Sequence, residues 1–357
     1  MMTVNEMIMY VMAAGVLLGG IDCILGNRFG LGEKFEEGFL CLGPTALSMV
    51  GIICMSPLLA KLLGPVVIPL FQFLGADPAM FASVLAIDMG GYPLAMELAQ
   101  NPEIGKFSGL VVASMLGVAI VFLIPLGLEM IEKDDREYFA KGLLIGLVPI
   151  PAASFVGGIL MGLPPLLVLK NLIPVIFIGV FLGAGMVFAQ EQMVKGFLVF
   201  GRIIKVITVI GLSCGAVEYM TGIVLIPGMP PIMEAMETVA GICIVLLGSL
   251  PMLHLILKAL KKPFDAAGKW AGLDSQSVGG ILFSCISALP VFRMMKDMCP
   301  KGKVMVTAVM VNVISVFSAH LAYVMASEPK VLVPVMAAKL TGGVMAAVAV
   351  FFVYRQR

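Results

Sequence analysis

The chain has 357 residues, 60% of them hydrophobic and only 13% charged, and its mean hydropathy is +1.08. A soluble domain is roughly 45–50% apolar and about 25% charged, so no water-facing fold of this length hides so much apolar surface, and lipid must be the solvent. A net charge of +1 gives no footing for a nucleic-acid partner, and seven scattered cysteines without a CxxC pair point to free thiols, not a metal site.

A hydrocarbon core of roughly 30 Å takes about 20 apolar helical residues. Nine segments meet that length: 3–25, 38–60, 107–130, 140–163, 165–189, 197–221, 237–258, 304–327 and 331–354. The first lacks a basic n-region and a small-residue cleavage site, so it is read as a retained span. Segments 77–100 and 274–297 differ from these. Each opens on an N-capping aspartate, Asp77 before Pro78 and Asp274 before Ser275. Each is also interrupted, by Asp88-Met-Gly-Gly-Tyr-Pro93 and by Ser287-Ala-Leu-Pro290. A helix, a turn and a second short helix are expected in both.

Charge placement chooses between a crossing and a re-entrant hairpin. Lys170, Lys205 and Lys339 fall inside spans, which leaves 20 Lys and Arg in loops and ends. If both segments dip in and return, 17 of the 20 share one side, and only Lys61, Lys106 and Lys330 face the other; if both cross, the split is 9 to 11. The positive-inside rule selects the hairpins, with the N-terminus outside and the C-terminus cytoplasmic.

The chain also matches itself. Gly15, Gly19, Asp22 and Gly26 repeat as Gly211, Gly215, Glu218 and Gly222. Gly75-x-Asp77, Pro93 and Gly105-Lys106 repeat as Gly272-x-Asp274, Pro290 and Gly302-Lys303, all 197 residues on. Pro149, Ala152, Ala153, Gly157 and Gly158 repeat as Pro334, Ala337, Ala338, Gly342 and Gly343. The expected fold is an all-α polytopic membrane protein of nine spans and two re-entrant hairpins. Residues 1–163 form a first repeat, 164–196 a connecting span and 197–357 a second repeat, inverted because five crossings separate equivalent points. Inverted repeats with broken helices near the midplane characterise secondary transporters.

The hairpin breaks expose backbone groups that must line a cavity, so the site is expected there. Asp88 is an acid in an apolar segment, flanked by Gly90, Gly91 and Tyr92. Together they suit a small hydroxylated ammonium, paired to Asp88 and laid against the Tyr92 ring. Ser284 and Ser287 offer hydroxyls from the second hairpin, and His320 an imidazole, although a lone histidine in such a helix more often packs than shuttles protons. Asp22, Glu218, Lys339 and Asn312 are pathway or structural charges and polar groups, with capping or ion pairing as the plain alternative. The twenty-eight methionines are core and lipid-facing filler, and the stripe Gly15, Gly19 and Gly26 is a helix-packing face. There is no Walker A, HExxH or nucleophile-elbow motif, so neither a cofactor nor a metal is expected. Coupling to protons or sodium is open. A membrane-embedded sensor or enzyme would need a soluble domain or catalytic constellation, and the longest polar stretch, around 258–275, is too short for one.

Several motifs resemble the ethanolamine-utilisation permease family: Phe35-Glu-Glu-Gly-Phe39, Leu63-Gly-Pro-Val-Val-Ile-Pro69, Asp88-Met-Gly-Gly91, Leu247-Gly-Ser-Leu-Pro-Met252, Lys262-Pro263, Pro290-Val-Phe-Arg-Met-Met-Lys296, Gly302-Lys-Val304 and Lys339-Leu-Thr-Gly-Gly343. They run in order along almost the whole chain. The resemblance implies a cytoplasmic-membrane carrier that admits ethanolamine as the protonated amine. Two places depart from the family pattern. Ala319 stands before His320 where the family carries an Asp, and Ala288 and Leu289 stand where the second hairpin often carries paired amides. A zwitterion or anion, held by Lys339 or Lys170, is the alternative cargo. The expected partners are a small amine, the lipid bilayer and a possible second copy of the chain.

Overall fold

The computed structural model describes residues 4–85, 89 and 91–355, and the described residues are helical with no strand. In chain order the helices are α1 (Val4–Ile24), α2 (Leu31–Leu40), α3 (Leu42–Phe73), α4 (Met80–Leu85), α5 (Gly91–Leu98) and α6 (Pro102–Lys106). A wide, π-type helix follows over Phe107–Gly117 and Ala119–Leu123 and runs into α7 (Ile124–Met130). Then come α8 (Arg136–Leu147), α9 (Ile150–Leu160), α10 (Pro165–Phe188), α11 (Gln190–Thr221) and α12 (Ile232–Ala271). The chain ends with α13 (Ser275–Ser284), α14 (Ala288–Met294), α15 (Pro300–Val313), α16 (Ala319–Ser327) and α17 (Leu332–Arg355).

Among the described residues, eight helical stretches are long and apolar enough to cross a bilayer. They correspond to eight of the nine expected spans. The exception is 304–327, which is two helices and not one. The helix stops at Val313, turns through Ile314–Ser318 with Ser315 at φ +54°, and restarts at Ala319. No Pro or Gly marks this break. Ser315 and Ser318 stabilise it by donating their hydroxyls to the Ile286 carbonyl, at 3.0 and 2.6 Å. Several spans, α3 and α12 above all, are longer than expected. α3 runs 32 residues through Pro57, Pro65 and Pro69, and α12 runs 40 through Pro251 and Pro263. The polar stretch from 258 thus continues as helix to Ala271.

Segments 77–100 and 274–297 each fold as two short helices, α4 with α5 and α13 with α14. In the second segment the break lies on the N-terminal side of Pro290, the third residue of α14; in the first, Pro93 is the third residue of α5, and residues 86–88 and 90 lie outside the described ones. The ends of each segment meet. The Asp77 carboxylate accepts N–H bonds from Ala79 at one end, and from Gln100 and Asn101 at the other, at 2.9, 3.3 and 2.9 Å. Asp274 does the same with Ser277 at 2.7 Å and Cys299 at 2.5 Å. Burial works against the charge on Asp274, but these N–H donors outweigh it and hold its carboxyl below the usual carboxylate range.

Two glycine crossings lock the bundle. A Cβ on Gly15 would collide with the Gly248 carbonyl and with Met252, and one on Gly248 would collide with the Met12 carbonyl. Likewise, a Cβ on Gly211 would meet the Gly51 carbonyl and Met55, and one on Gly51 the Thr208 carbonyl. Without Cβ atoms the backbones of α1 and α12, and of α3 and α11, approach closely enough for dense packing, which is how helices associate in lipid. Gly19 packs against Phe35 and Pro251, but Gly26 has nothing within 4 Å of its Cβ position. It sits instead at a left-handed turn, φ +79°, as its counterpart Gly222 does at +73°. The third member of the sequence stripe is therefore a helix terminator and not part of the packing face.

Candidate central cavity

The second hairpin's break rests on the split between α15 and α16. Ser315 N–H donates to the Ser284 carbonyl and Phe317 N–H to the Cys285 carbonyl, both at 3.2 Å, and the two serine hydroxyls complete the Ile286 carbonyl. Backbone freed in one broken element is thus satisfied by backbone freed in the other. The first hairpin rests on the wide helix. A Cβ on Gly109 would stand 2.6 Å from the Cα of Tyr92, so the wide helix needs glycine there to let α5 approach. The Ser108 hydroxyl donates to the Ala79 carbonyl at 2.6 Å.

Between these two assemblies lies a small cavity with room for about one water molecule. Its walls are Met89, Gly109, Leu110, Ser114, His320, Tyr323 and Val324. His320 is buried, with Nδ1 2.9 Å from the Ile314 carbonyl at the helix split. Tyr323 stacks edge-to-face on Tyr92, with ring centroids 6.4 Å apart. Fully buried Lys339 donates its ammonium to the carbonyl of Ser114, one of the wall residues, at 2.5 Å.

The expected site residues therefore divide. Tyr92, His320 and Lys339 come together at or beside the cavity. Gly91 is buried at the start of α5, and Asp88 and Gly90 lie outside the described residues. Ser284 is buried and donates to the Gly280 carbonyl at 2.8 Å; Ser287 N-caps α14 through the Leu289 N–H at 3.4 Å. Asn312 is fully buried, its amide donating to the Gly146 carbonyl at 2.9 Å while its Oδ1 has no hydrogen-bond partner among the described residues. Asp22 is buried near the end of α1, where it accepts from the N–H groups of Phe29, Leu31 and Gly32 at 3.0, 2.8 and 3.0 Å. It closes the turn into α2, and these bonds account for its burial. Glu218 is half-buried near the end of α11, and Lys170 is exposed in the second turn of α10. Tyr323 was not singled out from the sequence. Its signal was spacing, since His320, Tyr323 and Val324 lie at i, i+3 and i+4 on one helix face.

The profile of the family described as ethanolamine utilisation protein, EutH, matches residues 4–353. The chain belongs to this family. It is 42% identical over 356 residues to the "Probable ethanolamine permease EutH" of Listeria monocytogenes, covering 99% of this chain and 95% of that one. It is 37% identical over 384 residues to the protein of the same name in Escherichia coli K12, covering 97% and 94%. An "Uncharacterized protein YxeR" of Bacillus subtilis is 42% identical over 349 residues, covering 98% and 94%. No solved structure matches the chain. Of the positions that depart from the EutH pattern, Leu289 is exposed on α14, Ala288 is buried at its start, and Ala319 opens α16 beside the cavity residue His320.

Proposed function

We propose that this EutH-family membrane protein carries protonated ethanolamine, or a closely related small amino alcohol, across the cytoplasmic membrane. In this reading, segments 77–100 and 274–297 are re-entrant hairpins entering from opposite faces. The two halves, 1–163 and 197–357, are inverted copies joined by the connector 164–196, and the N-terminus lies outside. The joined ends at Asp77 and Asp274, the reciprocal glycine crossings and the left-handed glycines at matched positions support it. The observation that carries the functional reading is the cavity itself. It lies between the wide helix and α16, is walled by the Tyr323 ring, the His320 imidazole and the Ser114 hydroxyl, and at the volume of about one water must widen to admit the amine. Curated relatives named as ethanolamine permeases support the cargo.

Asp88 is the proposed anionic anchor, on the chemical ground that a carboxylate in an apolar segment is costly unless it serves a cation. Uptake of radiolabelled ethanolamine into proteoliposomes tests the reading. Asp88→Asn should lower uptake about 10- to 100-fold, the worth of one hydrogen-bonded charge pairing. Equal uptake by both proteins would overturn the anchor. Running the same assay with imposed sodium and pH gradients assigns the coupling. Buried Lys339 favours a second reading, in which a carboxylate-bearing cargo is held by its ammonium. Stronger competition by an amino acid than by unlabelled ethanolamine would select it.

A further inference from the structure

Two ion pairs lie outside the cavity lining and play no part in the reading above. Lys106, at the end of α6, pairs with Glu328, just past α16, at 3.2 Å, and also with its neighbour Glu103 at 2.9 Å. Lys303, in the first turn of α15, pairs with Asp135, just before α8, at 2.5 Å. The Tyr138 ring stands 5.8 Å from the Lys303 ammonium.

Their placement is reciprocal. Lys106 and Asp135 flank opposite ends of the stretch Pro102–Met130, which at 29 residues is long enough to cross a bilayer. Lys303 and Glu328 flank opposite ends of the α15–α16 pair. The start of each element meets the end of the other, so one ion pair closes each end of the assembly that walls the cavity. The two lysines are 197 residues apart, the same interval that relates the hairpins. Each pair joins residues of the first half to residues of the second. Each lysine also follows closely on the residues that Asp77 or Asp274 uses to tie its hairpin shut.

We propose that Lys106–Glu328 and Lys303–Asp135 are the two gate latches of the transport cycle, one on each face, and that access to the cavity from a given face requires that face's latch to open. This rests on the carrier reading above. The latches are unequal. The first is about one-fifth exposed on both side chains and shares its lysine with Glu103, whereas the second is nearly buried. Removing one partner of an exposed pair costs little, whereas removing one partner of a desolvated pair leaves an uncompensated buried charge. A single-partner change at Lys303–Asp135 should therefore disturb its face more than one at Lys106–Glu328.

The test places a single cysteine at Val324 in a cysteine-free background and reconstitutes the full chain in one orientation. A membrane-impermeant methanethiosulfonate ammonium reagent is then applied from each face in turn. Glu328→Gln should raise labelling about fivefold from one face only. Asp135→Asn should raise it about tenfold or more from the opposite face only. Exchange of the charges, Lys303→Asp with Asp135→Lys, should return labelling towards the parent. Because Asp135→Asn leaves a buried ammonium unpaired and could unfold the chain, Asp135→Asn with Lys303→Met serves as the second variant and should open the same face. Opening of the same face by the Glu328 and Asp135 variants, or of neither, would overturn the latches. Uptake by the parent chain is measured in parallel. Opposite-face opening in a chain that takes up no ethanolamine would refute the cargo and leave the latches standing.

Discussion

The two halves of the molecule solve the same packing problem differently. In the first half the element facing the hairpin stays continuous and widens, from Phe107 to Leu123. In the second half the matching element is cut between Val313 and Ala319. The residues at matched positions explain the difference. Gly109 corresponds to Val306, and Val118 and Val121 correspond to Ser315 and Ser318. Glycine lets the first hairpin's backbone lie against the helix, so the helix need not break. Without that glycine, the second hairpin meets a helix that has parted and offers two hydroxyls and two N–H groups to the hairpin's carbonyls. A few differences between positions 197 residues apart thus accompany two different ways of seating a short helix pair.

Exchanging residues between the halves tests this. Gly109→Val gives the first half the second half's side chain and forces its Cβ into the Tyr92 backbone, so we expect a loss of about 3 kcal/mol in stability and little remaining uptake. The reverse change, Val306→Gly, should cost less. Thermal unfolding in detergent alongside uptake measures both, and a tolerated Gly109→Val would break the comparison. Next in size, Ser315→Val with Ser318→Val removes both hydroxyl donors from the Ile286 carbonyl, for an expected loss of about 2 kcal/mol. Ser315→Gly loses one of these donors without backbone strain, because φ +54° suits glycine, and should cost less than the double change.

The smallest effect concerns the hairpin base. The Asp274 carboxyl titrates below its unfolded value of about 3.9, so the stabilisation it gives is fully present above that pH and is lost as pH falls through the folded value. Wild type should therefore melt above Asp274→Asn at pH 6, and the gap should begin to narrow below about pH 4 and close once the pH is below the folded value. A gap that persists at low pH would assign the effect to something other than the carboxylate charge.

What the sequence disclosed follows from what its residues do locally. Asp77, Asp274, Pro93 and Pro290 act on their own backbone, so both two-helix segments could be read directly. The long reach of α3 and α12 could not, because their internal prolines look like stops, whereas the surrounding bundle holds the helices together through them. The split at 314–318 was hidden for the opposite reason. It contains no breaker, and its serines are satisfied only by a carbonyl 29 and 32 residues away. The cavity was half legible. Tyr92 and His320 stood out as polar groups in apolar surroundings, but Tyr323 becomes informative only once α16 turns its face toward Tyr92. The pairing of Lys303 with Asp135, 168 residues apart, has no local signal at all.

The glycine crossings have one more consequence. Gly15 meets Gly248 and Gly211 meets Gly51, so the same two surfaces are used twice with the partners exchanged. Packing therefore does not dictate which half is made first. In principle the halves could be separate polypeptides, or joined in the other order, with both crossings kept.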